Sequence, residues 1–222
     1  HETIYYPNRI KQIIEKLSAE TAEGKDEESK SLEEVEELIG YYKEIFTLLS
    51  SCAARQLDEV TFRRTEIPVT LLCDHVLKYL RKSTARLSER IEIAIDAPSD
   101  LKVSGDKVLL FLLLESLVND AVRYRVSGQL HLRVRPDGQF VRFDFTDTRR
   151  TFSQEELNEL FYPRKEKIYL ENGKELVGTE YLICKQIIRE HDEYAGCRGC
   201  RINAQSARDS GFTVWFTIPL KK

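Results

Sequence analysis

The chain has no methionine and only one tryptophan in 222 residues, and its five cysteines are scattered. A handful of methionines is normal at this length, so some are expected to have been substituted or lost, and a lost residue would shift local spacings. The longest uninterrupted apolar run, Val108–Leu114, is seven residues, whereas a helix needs about 20 to cross a bilayer. No signal peptide is visible. A net charge of −3 and a pI near 5.9 lack the basic excess that draws a protein to nucleic acid or an anionic membrane. Cys52, Cys73, Cys184, Cys197 and Cys200 are too few and too far apart for a disulfide framework, so a reducing, cytoplasmic setting is expected. Cys197 and Cys200 form a lone C-x-x-C. Zinc would require two further ligands and only His191 lies nearby, so a turn between elements is the preferred reading. The chain opens on His1 rather than methionine and reads as a fragment whose parent can carry a membrane segment upstream.

A hydrophobic fraction of 41% is ordinary for a globular protein and allows a real core. Ile10, Ile13, Ile14 and Leu17 carry the spacing of a first helix, and an acidic loop follows from Glu20 to Lys30. Ser31, with Glu34 three residues on, caps a second helix whose apolar stripe runs from Leu32 to Cys52 in steps of three and four. Two such helices form an antiparallel hairpin over residues 1–58, and pairing with a second copy is expected because one hairpin cannot bury both stripes. Residues 59–222 have a mixed texture. Strands are predicted at Val60–Thr65, Ile91–Ile95, Gln129–Arg135, Phe140–Thr146, Arg201–Ala204 and Phe212–Ile218, with helices at Pro68–Arg86, Asp106–Tyr124, Ser153–Phe161 and Val177–Glu190. The fold class is α+β: a helical hairpin, then an α/β two-layer sandwich with one mostly antiparallel sheet and helices on one face.

Within the Asp106–Tyr124 helix, Leu109, Leu110, Leu113, Leu114, Leu117, Val118, Ala121 and Val122 make a core-facing stripe. Ser116 and Asp120 sit in that stripe one turn apart. A carboxylate placed there needs a cation, a ligand or a backbone group to satisfy it. Asp120 is therefore a candidate hard-cation ligand, with pairing to Arg123 on its own helix as the alternative. Arg149 and Arg150 read as solvated turn residues, His75 and His191 as surface or helix-end residues, and His131 as an exposed strand residue.

The order of these motifs resembles the cytoplasmic core of sensor histidine kinases, in which a dimerising hairpin bearing a phospho-accepting histidine precedes a Bergerat-type ATP-binding sandwich. The resemblance covers nearly the whole chain. The family's N-box, N-L-h-x-N-A-h-K-Y, is similar to SLVNDAVRY from Ser116 to Tyr124; Leu117, Ala121, Arg123 and Tyr124 fit, but Ser116 and Asp120 replace the asparagines that hold magnesium and phosphates. The first glycine box, D-x-G-x-G-h, appears as Asp147–Phe152. Asp147, the adenine acceptor by resemblance, is kept, and Arg149 and Thr151 replace the glycines. The second box keeps Gly178 and has Glu180 in place of the next glycine, while FYP at Phe161–Pro163 and GFTVWFTIP at Gly211–Pro219 follow the family closely. HETIYYP resembles the phosphoacceptor motif H-E-x-x-x-P with one extra residue. His1 would attack the γ-phosphate with Glu2 as its base, although His1 reads equally as the end of an affinity tag.

Glycine-rich turns bind phosphate because bare backbone N–H groups close on the oxygens. Arg149 instead offers a guanidinium to phosphate, and Glu180 beside a triphosphate is repulsive without a metal. The losses imply weak or absent nucleotide binding. The expected function is thus a divergent, dimeric histidine-kinase-like core, a pseudokinase that passes conformational signals through its hairpin to a response-regulator receiver. ATP and Mg²⁺ are its cofactors if the pocket functions and none are otherwise. The alternative is an active noncanonical kinase in which Asp120 holds Mg²⁺, Asp147 holds adenine, and Ser116, Arg123, Tyr124, Arg149, Thr151 and Gly178 complete the nucleotide site. An ATP-hydrolysing relative of the chaperone or topoisomerase kind is disfavoured, because Ser116 stands where those place a general-base glutamate.

Overall fold

The computed structural model describes residues 62–85, 87–88, 90–124, 126–162 and 180–221, all within the unit Val60–Lys222. The hairpin expected over 1–58, with His1 and Glu2, lies outside the described residues, as does Gly178. The elements run β1 (Arg64–Pro68), α1 (Val69–Thr84), β2 (Ile91–Asp96), β3 (Lys102–Asp106), α2 (Lys107–Arg123), β4 (Gly128–Asp137), β5 (Phe140–Asp147), α3 (Gln154–Glu159), α4 (Glu180–Tyr194), β6 (Ile202–Ala207) and β7 (Gly211–Pro219). Five strands form one sheet in the order β2-β4-β5-β7-β6. β2 and β4 are parallel and every other pair is antiparallel. β1 and β3 make a separate two-stranded ladder.

Strand alternation decides which face of the sheet is covered. On β4, Leu130, Leu132 and Val134 are buried; on β5, Val141, Phe143 and Phe145; on β7, Val214, Phe216 and Ile218. Residues of the other parity, such as Arg133, Arg142, Asp144 and Trp215, are more accessible. Phe143 stacks on Phe216 across the β5–β7 pair at 4.8 Å between ring centroids. The helical layer meets this apolar face through Leu110, Leu113, Leu114, Leu117 and Val118 of α2 and Tyr181, Ile183, Ile187 and Ile188 of α4, all buried. α2 starts where it does because Asp106 caps it: the carboxylate accepts from Val108 N at 2.9 Å and Leu109 N at 3.2 Å. α3 carries the expected capping box, Ser153 Oγ accepting from Glu156 N while Ser153 N donates to the Glu156 carboxylate.

Two details depart from expectation and a third meets it. β1 lies four residues later than the predicted strand, because its partner is β3, a strand of mixed polar texture that periodicity does not reveal. His191 is fully buried rather than a surface residue. Its Nε2 accepts from Asp106 N at 3.2 Å, so Nδ1 is the donor to Ile187 O at 2.8 Å. Gly105 makes room for it, since a Cβ there would sit 2.8 Å from the imidazole. The C-x-x-C does lie in a turn, between α4 and β6, where Asp192 Oδ1 accepts from Gly199 N and Cys200 N at 2.6 and 2.9 Å.

Burial holds the His191 pKa down at about 4 against an ordinary 6.5. The fold therefore favours the neutral ring, and its contribution is complete above pH 6.5 and lost as pH falls from there through 4. That loss amounts to about 3 kcal/mol. Urea midpoints measured from pH 8 to 4 are expected to fall in this window, and His191→Gln is expected to flatten the part of the slope above pH 5.

Candidate functional site

Asp120 and Asp147 are the two most deeply buried carboxylates among the described residues. Asp120 shares the buried side of α2 with Leu117 and Ala121, and Asp147 continues the inward parity of Val141, Phe143 and Phe145 to the end of β5; each is 1% exposed. β7 begins beside this end at Gly211, whose φ is 78°. A Cβ on Gly211 would lie 2.5 Å from Asp147 O, so glycine is what lets the two strands stay paired to their tips.

The turn after Asp147 folds both arginines inward. Arg149 grips Asp147 with two parallel contacts, Nε to Oδ1 and Nη2 to Oδ2, both 2.7 Å, and its backbone N–H donates to Oδ1 at 3.0 Å. The same guanidinium donates to Ala121 O at 2.8 Å and Val126 O at 2.6 Å. Arg150 crosses between the two acids. Its Nη2 donates to Asp120 Oδ2, its Nε lies 3.1 Å from Asp147 Oδ2, and Nη2 also approaches Tyr181 Oη at 3.2 Å. Tyr181 Oη donates to Asp120 Oδ2 as well. Burial works against the Arg150 charge, but Asp120 foremost, with the Tyr181 hydroxyl and Asp147, outweighs it and holds the guanidinium protonated. Burial pushes the Tyr181 phenol well above its ordinary range, so it remains a donor. Beside this cluster, Arg123 pairs with Glu180 through both carboxylate oxygens. Three carboxylates, Asp120, Asp147 and Glu180, thus face three guanidiniums, Arg123, Arg149 and Arg150.

A family profile described as histidine kinase-, DNA gyrase B- and HSP90-like ATPase matches residues 105–222, which is more than half of the chain and takes in all these groups. The chain belongs to this ATPase family. Among solved structures, the Acinetobacter baumannii histidine kinase AdeS is similar over 96% of this chain and 98% of its own, with TM-score 0.70 and 15% identity. Histidine kinase ThkA, in a complex with response regulator protein TrrA, matches 99% of this chain and 61% of its own at TM-score 0.68 and 18% identity. A mycobacterial sensor histidine kinase, MprB, matches 72% of this chain at TM-score 0.53 and 16% identity. The shared fold is that of the sensor histidine kinase core. No curated protein sequence matches the chain.

Within this ATPase-family fold the residues singled out from sequence distribute unevenly. Asp120, Asp147, Arg149 and the half-buried Tyr124 converge on one cluster. Ser116 is buried in α2, but its hydroxyl donates to Leu112 O one turn back at 2.7 Å. Arg123 faces Glu180 rather than Asp120, and Thr151 is exposed. Asn119, the asparagine next to the N-box position, accepts from Tyr79 Oη at 3.0 Å. The reading of Arg149 and Arg150 as solvated turn residues is corrected: their side chains are 3% and 6% exposed, because the buried acids require cations. Sequence reasoning missed Arg150 and Tyr181 altogether. The one available signal was Asp120 itself, an acid in an apolar stripe whose candidate partner on the same helix, Arg123, pairs with Glu180 instead.

Removing one partner of a buried charge pair costs about 3–5 kcal/mol, because the other charge stays buried. Arg150→Ala is expected to lose that much in urea unfolding, whereas exposed Thr151→Ala should stay within about 0.5 kcal/mol of the unaltered protein.

Proposed function

We propose that this chain is a divergent histidine-kinase-like core of a two-component signalling protein, a pseudokinase in which nucleotide binding and autophosphorylation are weakened or lost. Residues 1–58 act as a dimerising helical hairpin and residues 59–222 as the ATPase-type domain. In this reading signals pass through the hairpin of a homodimer on the cytoplasmic side to a response-regulator receiver domain. Support for such a partner comes from histidine kinase ThkA, a protein of this fold seen in complex with response regulator protein TrrA.

The observation that carries this reading is the double occupation of Asp147 and Asp120. By resemblance, Asp147 receives the adenine amino group and Asp120 stands at a metal-holding position. Here Arg149 and Arg150 saturate the first, and Arg150 with Tyr181 engages the second. The cluster is already neutral, so Mg²⁺ at Asp120 would bring uncompensated positive charge beside a buried guanidinium, with only the buried Oδ1 left to receive it. A triphosphate would also meet side chains at Arg149 and Thr151 where the family offers bare glycine backbone. The residues present do not fit a magnesium–nucleotide complex. His1 and Glu2 are assigned no step in this reading.

Titration calorimetry of the full chain with ATP and with ADP, each with and without Mg²⁺, is expected to show no micromolar binding. Incubation with γ-labelled ATP is expected to leave no acid-labile label on the protein. Micromolar affinity with label on His1 would establish the active noncanonical kinase instead.

A further inference from the structure

The Arg150 guanidinium has more around it than its acids. Its central carbon lies 5.7 Å from the ring centroid of Tyr124, 5.5 Å from Phe152 and 5.2 Å from Phe212. Three aromatic rings therefore stand within the range at which a π face attracts a cation, and desolvation strengthens that attraction. The polar wall comprises Asp120 Oδ2, Asp147 Oδ2 and the Tyr181 hydroxyl. Phe152 and Phe212 pack at 4.4 Å between centroids, and Tyr181 meets Phe212 edge-on at 6.0 Å, so the rings are fixed by one another rather than by the arginine alone. Asp120 Oδ1 is buried and accepts no hydrogen bond, and Arg150 Nε, though 3.1 Å from Asp147 Oδ2, donates none. The cage therefore holds its resident by charge, rings and the Nη2 donor rather than by a full set of hydrogen bonds.

These features describe a receptor for a flat, delocalised cation with donors on its edge. An ammonium could satisfy the carboxylates but would not spread over the rings, and it is the more strongly hydrated ion. A neutral amide would leave buried carboxylate charge uncompensated. The geometry points to a guanidinium-binding cage built where the family's nucleotide site lies, with Arg150 as its resident, covalently tethered ligand. This rests on the reading that the cleft no longer serves a nucleotide, and adds that the site has gained a definite new specificity. Because the acids and rings come from α2, β5, α4 and β7 and from the residues next to α2 and α3, they are expected to outlast removal of Arg150 alone.

The test is chemical rescue in the full chain. Arg150→Ala is heated with guanidinium chloride at tens of millimolar, far below denaturing levels, beside matched sodium chloride and ammonium chloride. At ten times its dissociation constant, guanidinium is expected to raise the Tm of Arg150→Ala by about 3–6 °C over the sodium control, with ammonium doing less and the unaltered protein gaining nothing. Equal responses of variant and unaltered protein to the three salts would overturn the cage. Should Arg150→Ala not fold, the unaltered chain decides by nitrogen-15 NMR of its arginine side chains. Separately resolved, slowly exchanging Nη protons on Arg150 support a held guanidinium, and a single rapidly exchanging signal refutes it. Calorimetric nucleotide binding by the unaltered protein would sink the pseudokinase reading, whereas absent rescue with absent nucleotide binding would sink the cage only.

Discussion

A carboxylate inside an apolar layer sets a condition on everything near it. Water is gone, and the ionised group must find positive charge and donors or cease to be ionised. In this domain the condition arises twice within one cluster, at Asp120 on the core side of α2 and at Asp147 on the core side of β5. Arg150 meets both at once and Arg149 meets one with its full fork. Such a lattice adds little net stability over an apolar core of the same shape, but it tolerates no missing member. Its effect is to specify geometry: α2, the tip of β5 and the start of α4 are held in one arrangement by groups that have no other way to be satisfied.

Arg149 extends this coupling to the backbone. Its donation to Ala121 O falls in the last turn of α2, where helix carbonyls lack intrahelical partners and the helix dipole is negative, and its donation to Val126 O holds the segment that follows. A side chain from the β5 turn therefore finishes a helix at a carbonyl 28 residues earlier in the chain. Gly211 allows the same turn to sit against β7 without a steric penalty. The sheet tip, the helix end and the ionic lattice are three descriptions of one junction.

Much of this architecture was legible in the sequence, and what escaped has physical reasons. The α2 stripe, the α3 capping box and the alternation of β4, β5 and β7 are local patterns, so they could be read directly. β3 escaped because Lys102–Asp106 is short and largely polar, and it is defined by pairing with β1 nearly 40 residues away. The burial of Arg149 and Arg150 escaped because two consecutive arginines in a turn have a solvated composition. Asp120, 30 residues distant, draws Arg150 inside together with the nearby Asp147. Glu180 looked repulsive toward phosphate for the same reason: its partner, Arg123, lies 57 positions away. Local signals reveal scaffolds, whereas a buried ionic lattice is a property of contact and becomes visible only when the elements are assembled.

The distinction between a bound and a tethered ligand then carries a consequence for signalling. A free ligand shifts a conformational equilibrium by an amount that rises with its concentration and its differential affinity for the two states. A ligand joined to its receptor by the main chain has a fixed effective concentration and reports nothing about the surroundings. If Arg150 is that ligand, the sandwich is held in one liganded-like arrangement regardless of nucleotide supply. Variation in the output of such a protein must then enter from outside the ionic cluster rather than through nucleotide occupancy of the cleft.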